Sequence, residues 1–122
     1  MKVVIAGSRT ITDITAVERA VKSSGFKPTV IFSGMARGVD TLALQYARSC
    51  GLPVERFYAA WKDKDGALDR TAGFKRNAQM ANLADALVAV WDGKSRGTKD
   101  MIDQMCALNK PVFTYVVIHD DL

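Results

Sequence analysis

The sequence predicts an α/β domain with a doubly wound, mostly parallel five-stranded sheet in the order 3-2-1-4-5. Two observations carry that expectation. Short apolar runs alternate with amphipathic helical patterns along all 122 residues. The runs are also too uniformly apolar to keep a solvent face, as expected of parallel strands covered by helices on both sides. Right-handed crossovers through the intervening helices then give a Rossmann-like fold.

The elements follow in order. VVIAG (3–7) is the first strand. Ile14, Val17 and Val21 share one face of the first helix, with Thr12 and Asp13 as candidate N-caps and Gly25 as its stop. TVIFSG (29–34) is the second strand. Val39, Leu42, Ala43, Tyr46, Ala47 and Cys50 then form the apolar stripe of a second helix, which Gly51 closes. Pro53 opens a third strand, VERFYAA (54–60), and the polar KDKDGALDRT (62–71) is a long loop. A third helix over 72–83 leads to ALVAVW (86–91), the fourth strand. The last helix, 97–109, turns Met101, Ile102, Met105 and Leu108 inward, and PVFTYVV (111–117) is the fifth strand. No linker, repeat or low-complexity tract interrupts this pattern, so residues 1–122 read as one domain.

Composition narrows the function classes. Nearly half the residues are apolar and a quarter charged, the mix of a soluble globular protein. A net charge of +4 permits anion binding but does not by itself predict nucleic acid. Lys2 is followed by only a short apolar run before Arg9, which argues against a signal peptide, and no stretch approaches the ~20 apolar residues of a membrane span. The expected location is the cytoplasm, with no membrane partner. Cys50 and Cys106 lie in apolar helical contexts, far apart and without a nearby histidine. They read as buried, reduced thiols and give no metal site. His119, in the C-terminal tail, reads as a surface histidine. Met80, Met101 and Met105 read as core, with a partner-packing face as the alternative.

In an open α/β sheet, ligands sit beyond the carboxyl ends of the strands. That rule selects GSRT (7–10), SGMARGVD (33–40), AAWKDKDG (59–66) and WDGKSRGTKD (91–100), with GFKRN (73–77) opening the third helix. Strands one, two and four each feed a glycine-bearing turn into a helix start, where backbone N–H groups favour negative charge. Ser8, Ser33, Ser95 and Thr98 add hydroxyls, and Arg9, Arg37, Arg76 and Arg96 add guanidinium forks. Any one of Gly34, Gly38, Gly93 and Gly97 alone would pass for an ordinary turn glycine. Three strand ends together describe an anion site, most simply for phosphate. Neither G-x-G-x-x-G nor G-x-x-x-x-G-K-[ST] occurs, so no dinucleotide fingerprint or P-loop is expected, and no cofactor. Trp61 and Trp91 each end a strand at this edge, as lids on the core or as platforms for a base.

The order GSR, SGMARGVD, the Trp61 loop, AGFKRNAQM and ADALVAVWDGKSRGT resembles the SLOG superfamily of Rossmannoid proteins over residues 3–117. Within that group, which includes the DprA/Smf proteins and the LOG phosphoribohydrolases, it is most similar to the YspA (YAcAr) branch of small, often phage-encoded proteins. The resemblance implies a nucleotide or nucleotide-derived ligand, bound by a sensor, carrier or sequestering protein, and frequent self-association as a homo-oligomer. Gly7, Ser8, Arg9, Ser33, Gly34, Gly97 and Thr98 would hold phosphate or ribose, with Arg37, Gly38 and Ser95 as further ligand-binding candidates. Arg76 and Asn77, similar to the branch's characteristic pair, would contact the remainder, and Trp61 is a further ligand-binding candidate.

Two alternatives come with the resemblance. The first is hydrolysis of an N-glycosidic bond, as in the LOG enzymes. Their phosphate-binding GGxGT-x-x-E segment matches here at Gly97 and Thr98, but Met101 replaces the glutamate. Asp40, Asp92 and Asp100 are the carboxylates left to serve; Asp100 is one residue away, a rotation of ~100° on a helix. Asp40 also reads as an N-cap or arginine partner. The second is single-strand DNA binding of the DprA kind, although aspartates interleave the basic residues of the site loops.

Overall fold

A computed structural model describes residues 1–118 of the chain; His119 lies outside them. Strand β1 (Lys2–Gly7) occupies the middle of the sheet because it alternates two apolar sets. Val3 and Ile5 point to one face and Val4 and Ala6 to the other, and all four are buried. Around it run α1 (Ile14–Ser24), β2 (Val30–Ser33), α2 (Val39–Cys50), β3 (Val54–Arg56), α3 (Ala72–Leu83), β4 (Ala86–Trp91), α4 (Arg96–Ala107) and β5 (Val112–Val116). The strands are all parallel and ordered β3-β2-β1-β4-β5, as the sequence predicts. Register is fixed at the centre, where Val4 lies between Phe32 of β2 and Leu87 of β4.

Each face has its own core. On one, Val3, Ile5, Val88 and Val90 meet Val17 and Val21 of α1 and Val39, Ala43 and Ala47 of α2. On the other, Val4, Ala6, Phe32, Leu87 and Ala89 meet Met80 and Ala81 of α3 and Met101 and Met105 of α4. The three methionines are therefore core, not a partner-packing face. Asp13 caps α1, its Oδ1 accepting from the Thr15 N–H at 2.9 Å, and Gly25 ends it.

Several expectations need correction, mostly at the edges. Outer strands pair on one side only, so β3 exposes Glu55 and Arg56 and β5 is only half-buried; these two are not closed to solvent. β3 also stops at Arg56, not residue 60, because its neighbour β2 ends at Ser33 and leaves no ladder to extend. After one further bond, Phe57 N–H to the Ser33 carbonyl at 2.9 Å, Phe57 tucks against Phe32 and the chain departs. Trp61 consequently belongs to the loop and not to a strand end. Cys50 and Cys106 are exposed thiols: the apolar stripe of α2 ends at Ala47, and Cys106 is turned ~100° from the inward Met105. Leu108 caps α4, past its last helical residue, and is exposed. Asp40 is not the N-cap of α2; Gly38 is, and Asp40 lies within the first turn. Among the described residues, no helix is long and apolar enough to cross a membrane.

Candidate functional site

The carboxyl ends of β1, β2 and β4 converge with the start of α3 around one crevice. β1 ends on Gly7 because nothing larger fits: a Cβ there would lie 1.9 Å from the Val90 carbonyl oxygen and 2.8 Å from the Val39 side chain. Ser8 then knots the loop. Its N–H donates to Val90 (3.1 Å), its Oγ accepts from the Asp92 N–H (2.9 Å), and its carbonyl accepts from Val39 (3.3 Å). With Ser8 buried and so engaged, the next side chain, Arg9, emerges exposed at the mouth.

The β2–α2 turn is built around Asp40. Ser33 Oγ donates to the Asp40 carbonyl at 2.8 Å and accepts from the Met35 N–H at 3.2 Å. Met35 takes a left-handed φ of 63°, and Gly38, at φ 70°, ψ −125°, lets the turn pass against β1: a Cβ there would lie 2.4 Å from the Ser8 carbonyl oxygen. Gly34 has no room for a side chain either, since Asp40 Oδ2 and Arg76 Nε would lie 2.9 and 3.0 Å from its Cβ. Asp40 Oδ2 accepts the Ala36 N–H at 3.1 Å. Asp40 is only 5% exposed, and burial raises its pKa despite the opposing pull of the Ala36 N–H, Arg76, Arg9 and the Gly7 N–H.

Asp92 shapes the β4–α4 turn: Oδ1 accepts from the N–H groups of Lys94 (2.8 Å) and Ser95 (2.9 Å), which hold its carboxyl below the usual range. Ser95 caps α4 through Thr98, whose Oγ1 lies 3.0 Å from Ser95 Oγ. The Trp91 indole N–H donates to the Ser95 carbonyl at 3.0 Å, so Trp91 clamps this turn. The first turn of α4 then opens Arg96 and Gly97 to solvent.

Arg76 and Asn77 divide the work at α3. Arg76, half-buried, donates through Nη1 to the Gly34 carbonyl at 2.8 Å and through Nε to Asn77 Oδ1 at 3.3 Å. Asn77 is 4% exposed and sends its Nδ2 hydrogens to the Gly97 carbonyl (3.2 Å) and Asp100 Oδ2 (3.0 Å). Gln104 donates to the same Asp100 oxygen at 3.0 Å. Asn77→Ala is thus expected to lose about 1 kcal/mol of stability by removing both bonds of a buried amide, read as a lowered urea midpoint; an unchanged midpoint would show the bridge between α3 and α4 to be dispensable.

Two adjoining cavities occupy the crevice. The inner, about 250 Å³, is lined by Gly7, Arg9, Asp40, Asn77, Ser95, Arg96, Gly97 and Thr98 over a floor of Ala6, Met80 and Met101. The outer, about 310 Å³, is lined by Arg9, Gly34, Arg37, Arg76, Tyr58 and Trp61, with Met35, Ala36 and Ala59. Among the predicted site residues, Ser8, Ser33, Gly38, Asp92 and Asp100 line neither; they bond or pack within the turns that hold the liners. Tyr58 is a liner that sequence reasoning missed, because residues 57–60 read as strand and an exposed aromatic there carries no periodic signal. The loop holding Trp61 is fixed to α3 by Asp69. Its N–H donates to the Trp61 carbonyl (2.7 Å), while Lys75 at 2.8 Å and Thr71 bring its carboxyl pKa down to about 2. Of the basic loop residues, Lys75 pairs with Asp69 and Lys99 with Asp103. No group of His, Cys, Asp and Glu suited to a metal ion occurs among the described residues.

Comparison with known proteins places this geometry in context. The family model described as YspA, cpYpsA-related SLOG family matches residues 1–63, from β1 through β3 into the Trp61 loop. The X-ray structure of DNA processing protein A (DprA) from Streptococcus pneumoniae is similar at a TM-score of 0.71 and 20% identity, over 93% of this chain and 49% of that one. The likeness is one of fold, and the chain spans about half the length of that protein. A search of curated proteins finds no match.

Proposed function

The chain belongs to the YspA, cpYpsA-related SLOG family, and from that premise we propose that its crevice binds a nucleotide or nucleotide-derived ligand, as a sensor, carrier or sequestering protein. The observation that carries the reading is Arg9. Structural arginines spend their guanidinium on carboxylates or carbonyls, as Arg76 does on Gly34. Among the described residues, no hydrogen bond or ion pair holds the Arg9 side chain, yet it lines both cavities. Arg37 and Arg76 stand on the outer side and Arg96 on the inner, against Asp40 as the one carboxylate lining either cavity. Planar forks gathered this way recognise phosphate oxygens.

Arg9→Ala is expected to weaken phosphate-bearing ligands about 10- to 150-fold, the range of a charge-assisted bond worth about 1.5–3 kcal/mol. The unfolding midpoint of the free protein should stay put, because Arg9 is exposed. Calorimetric titration with a nucleotide panel checks the first and urea unfolding the second. Failure of every nucleotide to bind the unmodified protein, or equal binding by the variant, sinks the proposal.

One observation favours a second reading, N-glycosidic hydrolysis. Of the three candidate carboxylates, Asp40 alone lines a cavity; Asp92 is committed to its turn and Asp100 to Asn77 and Gln104. A hydrolase here would steady the developing positive charge at the ribose carbon with Asp40. Release of free base, abolished in Asp40→Asn, is the test.

A further inference from the structure

Asp100 and Gln104 line neither cavity of the crevice, yet the hydrogen bonds that run from them end on an arginine that does. We propose that Asp100, steadied by Gln104, is a positioning residue: it fixes the side-chain amide of Asn77 and through it aims the Arg76 guanidinium into the outer cavity. This rests on the binding reading above and adds a residue to it.

The amide has two ends, an NH2 group that donates and an oxygen that accepts. Asn77 Nδ2 faces the Gly97 carbonyl at 3.2 Å and Asp100 Oδ2 at 3.0 Å, a carbonyl and a carboxylate that can only accept. Turned over, the amide would set its oxygen against those two oxygens and its NH2 group against the Arg76 Nε–H. Gly97 and Asp100 therefore leave Oδ1 one direction, toward Arg76 Nε at 3.3 Å. Asn77 is buried, so water does not offer it other partners.

Gln104 holds the next link. Its Nε2 donates to the same Asp100 oxygen at 3.0 Å and to the Phe74 carbonyl at 3.1 Å. Those bonds tie the Asp100 carboxylate, early in α4, to the start of α3, where Phe74 and Arg76 lie two residues apart.

What this arrangement spares is charge. A guanidinium placed by a carboxylate spends its fork on that partner. Arg76 is placed by two neutral oxygens instead, Asn77 Oδ1 and, at 2.8 Å, the Gly34 carbonyl. Asp40 and Asp100 both attract it through space, yet among the described residues neither forms an ion pair with it. The group lies against Gly34, where a Cβ would meet Nε and Cζ at 3.0 and 3.1 Å. Nε and Nη1 are so engaged, which leaves the Nη2 hydrogens for the outer cavity that Arg76 lines. Because Asp100 Oδ2 alone accepts both bonds, an asparagine in its place can keep them on its single amide oxygen, whereas an alanine cannot. The role asks for an acceptor and not for a charge.

Exchange of the Arg76 Nε–H with water, followed by NMR of isotope-labelled protein and assigned through Arg76→Lys, reads the position of Arg76 with no ligand present. Asp100→Ala is expected to quicken it about 2- to 12-fold, the worth of one neutral hydrogen bond, and to weaken ADP in calorimetry by the same order. Asp100→Asn should restore both. Asp103→Ala breaks the Lys99–Asp103 pair on the same helix without touching these bonds, and should leave both as they are. The proposal is overturned if Asp100→Ala leaves the exchange unchanged, if Asp100→Asn fails to restore it, or if Asp103→Ala quickens it equally. Faster exchange with unaltered ADP affinity overturns it too, since Arg76 would then be held for the fold alone. Should ADP and the rest of the nucleotide panel fail to bind, the binding reading falls, while the exchange series still decides whether Asp100 sets Arg76.

Discussion

Gly7→Ala is expected to cost the fold about 3 kcal/mol or more, at or beyond the top of the usual range for overpacking a core. The new methyl would lie 1.9 Å from the Val90 carbonyl oxygen and 2.9 Å from Val39 Cβ. The first of these is backbone of the central strand β4, so no rotamer change relieves the clash. Relief requires β1 and β4 to part, which breaks the Ser8 N–H bond to Val90 and detaches the loop that carries Arg9. Gly97→Ala is the matched control, since nothing lies within 4 Å of its Cβ and it is in a helix. There the same methyl should be neutral or stabilising by up to about 1 kcal/mol. Urea unfolding of both variants checks the pair. A Gly7→Ala protein as stable as its Gly97→Ala counterpart would show that β1 and β4 do not approach at this point.

That contrast also marks how far the site can be read from sequence. Both glycines border a strand-to-helix turn, Gly7 at its start and Gly97 just past its end, and sequence gives them the same meaning; only packing shows that one is forbidden a side chain and the other is open. The strands at the centre were legible because β1 and β4 are apolar at successive positions, a pattern only two covered faces explain. The end of β3 was not, because FYAA continues the apolar run after its ladder partner has ended. Site hydroxyls posed a similar difficulty. Ser33 bonds its own turn and Ser8 the neighbouring β4–α4 turn, and a serine placed for that purpose looks the same in sequence as one placed for a ligand. Arg76 and Asn77 are neighbours in sequence but face different tasks, since a step of ~100° turns one toward the outer cavity and sends the other's amide to α4. The general location survives these substitutions of role because strand ends, and not individual donors, determine it.

Asp40→Ala is expected to be the most damaging change among the charged residues, costing about 1–3 kcal/mol. It removes the acceptor of the half-buried Ala36 N–H and leaves a gap where the buried side chain stood between Gly34 and the first turn of α2. Asp40→Asn keeps the shape and an oxygen for Ala36 but not the charge, and its effect depends on pH with a definite sign. Burial raises the folded-state pKa above the ordinary 3.8, so the folded protein holds this proton more tightly than the unfolded chain. Asp40's contribution is therefore most favourable below the unfolded value and is lost as pH climbs through the raised folded one. Relative to Asp40→Asn, which has no such slope, the unmodified protein should lose stability from about pH 4 upward and level off once the folded carboxyl is ionised. Affinity for a phosphate ligand should fall over the same window, because an ionised Asp40 opposes the anion that Arg9 attracts. Urea unfolding and calorimetry of both proteins between about pH 4 and pH 8 test the two slopes; parallel curves would show that Asp40 is not desolvated as its burial requires. The same variant separates the two functional readings. A binder should keep its ligand in Asp40→Asn and lose only the pH dependence, whereas a hydrolase should keep the ligand and stop releasing base, since the amide cannot supply the negative charge that the ribose carbon needs in the transition state.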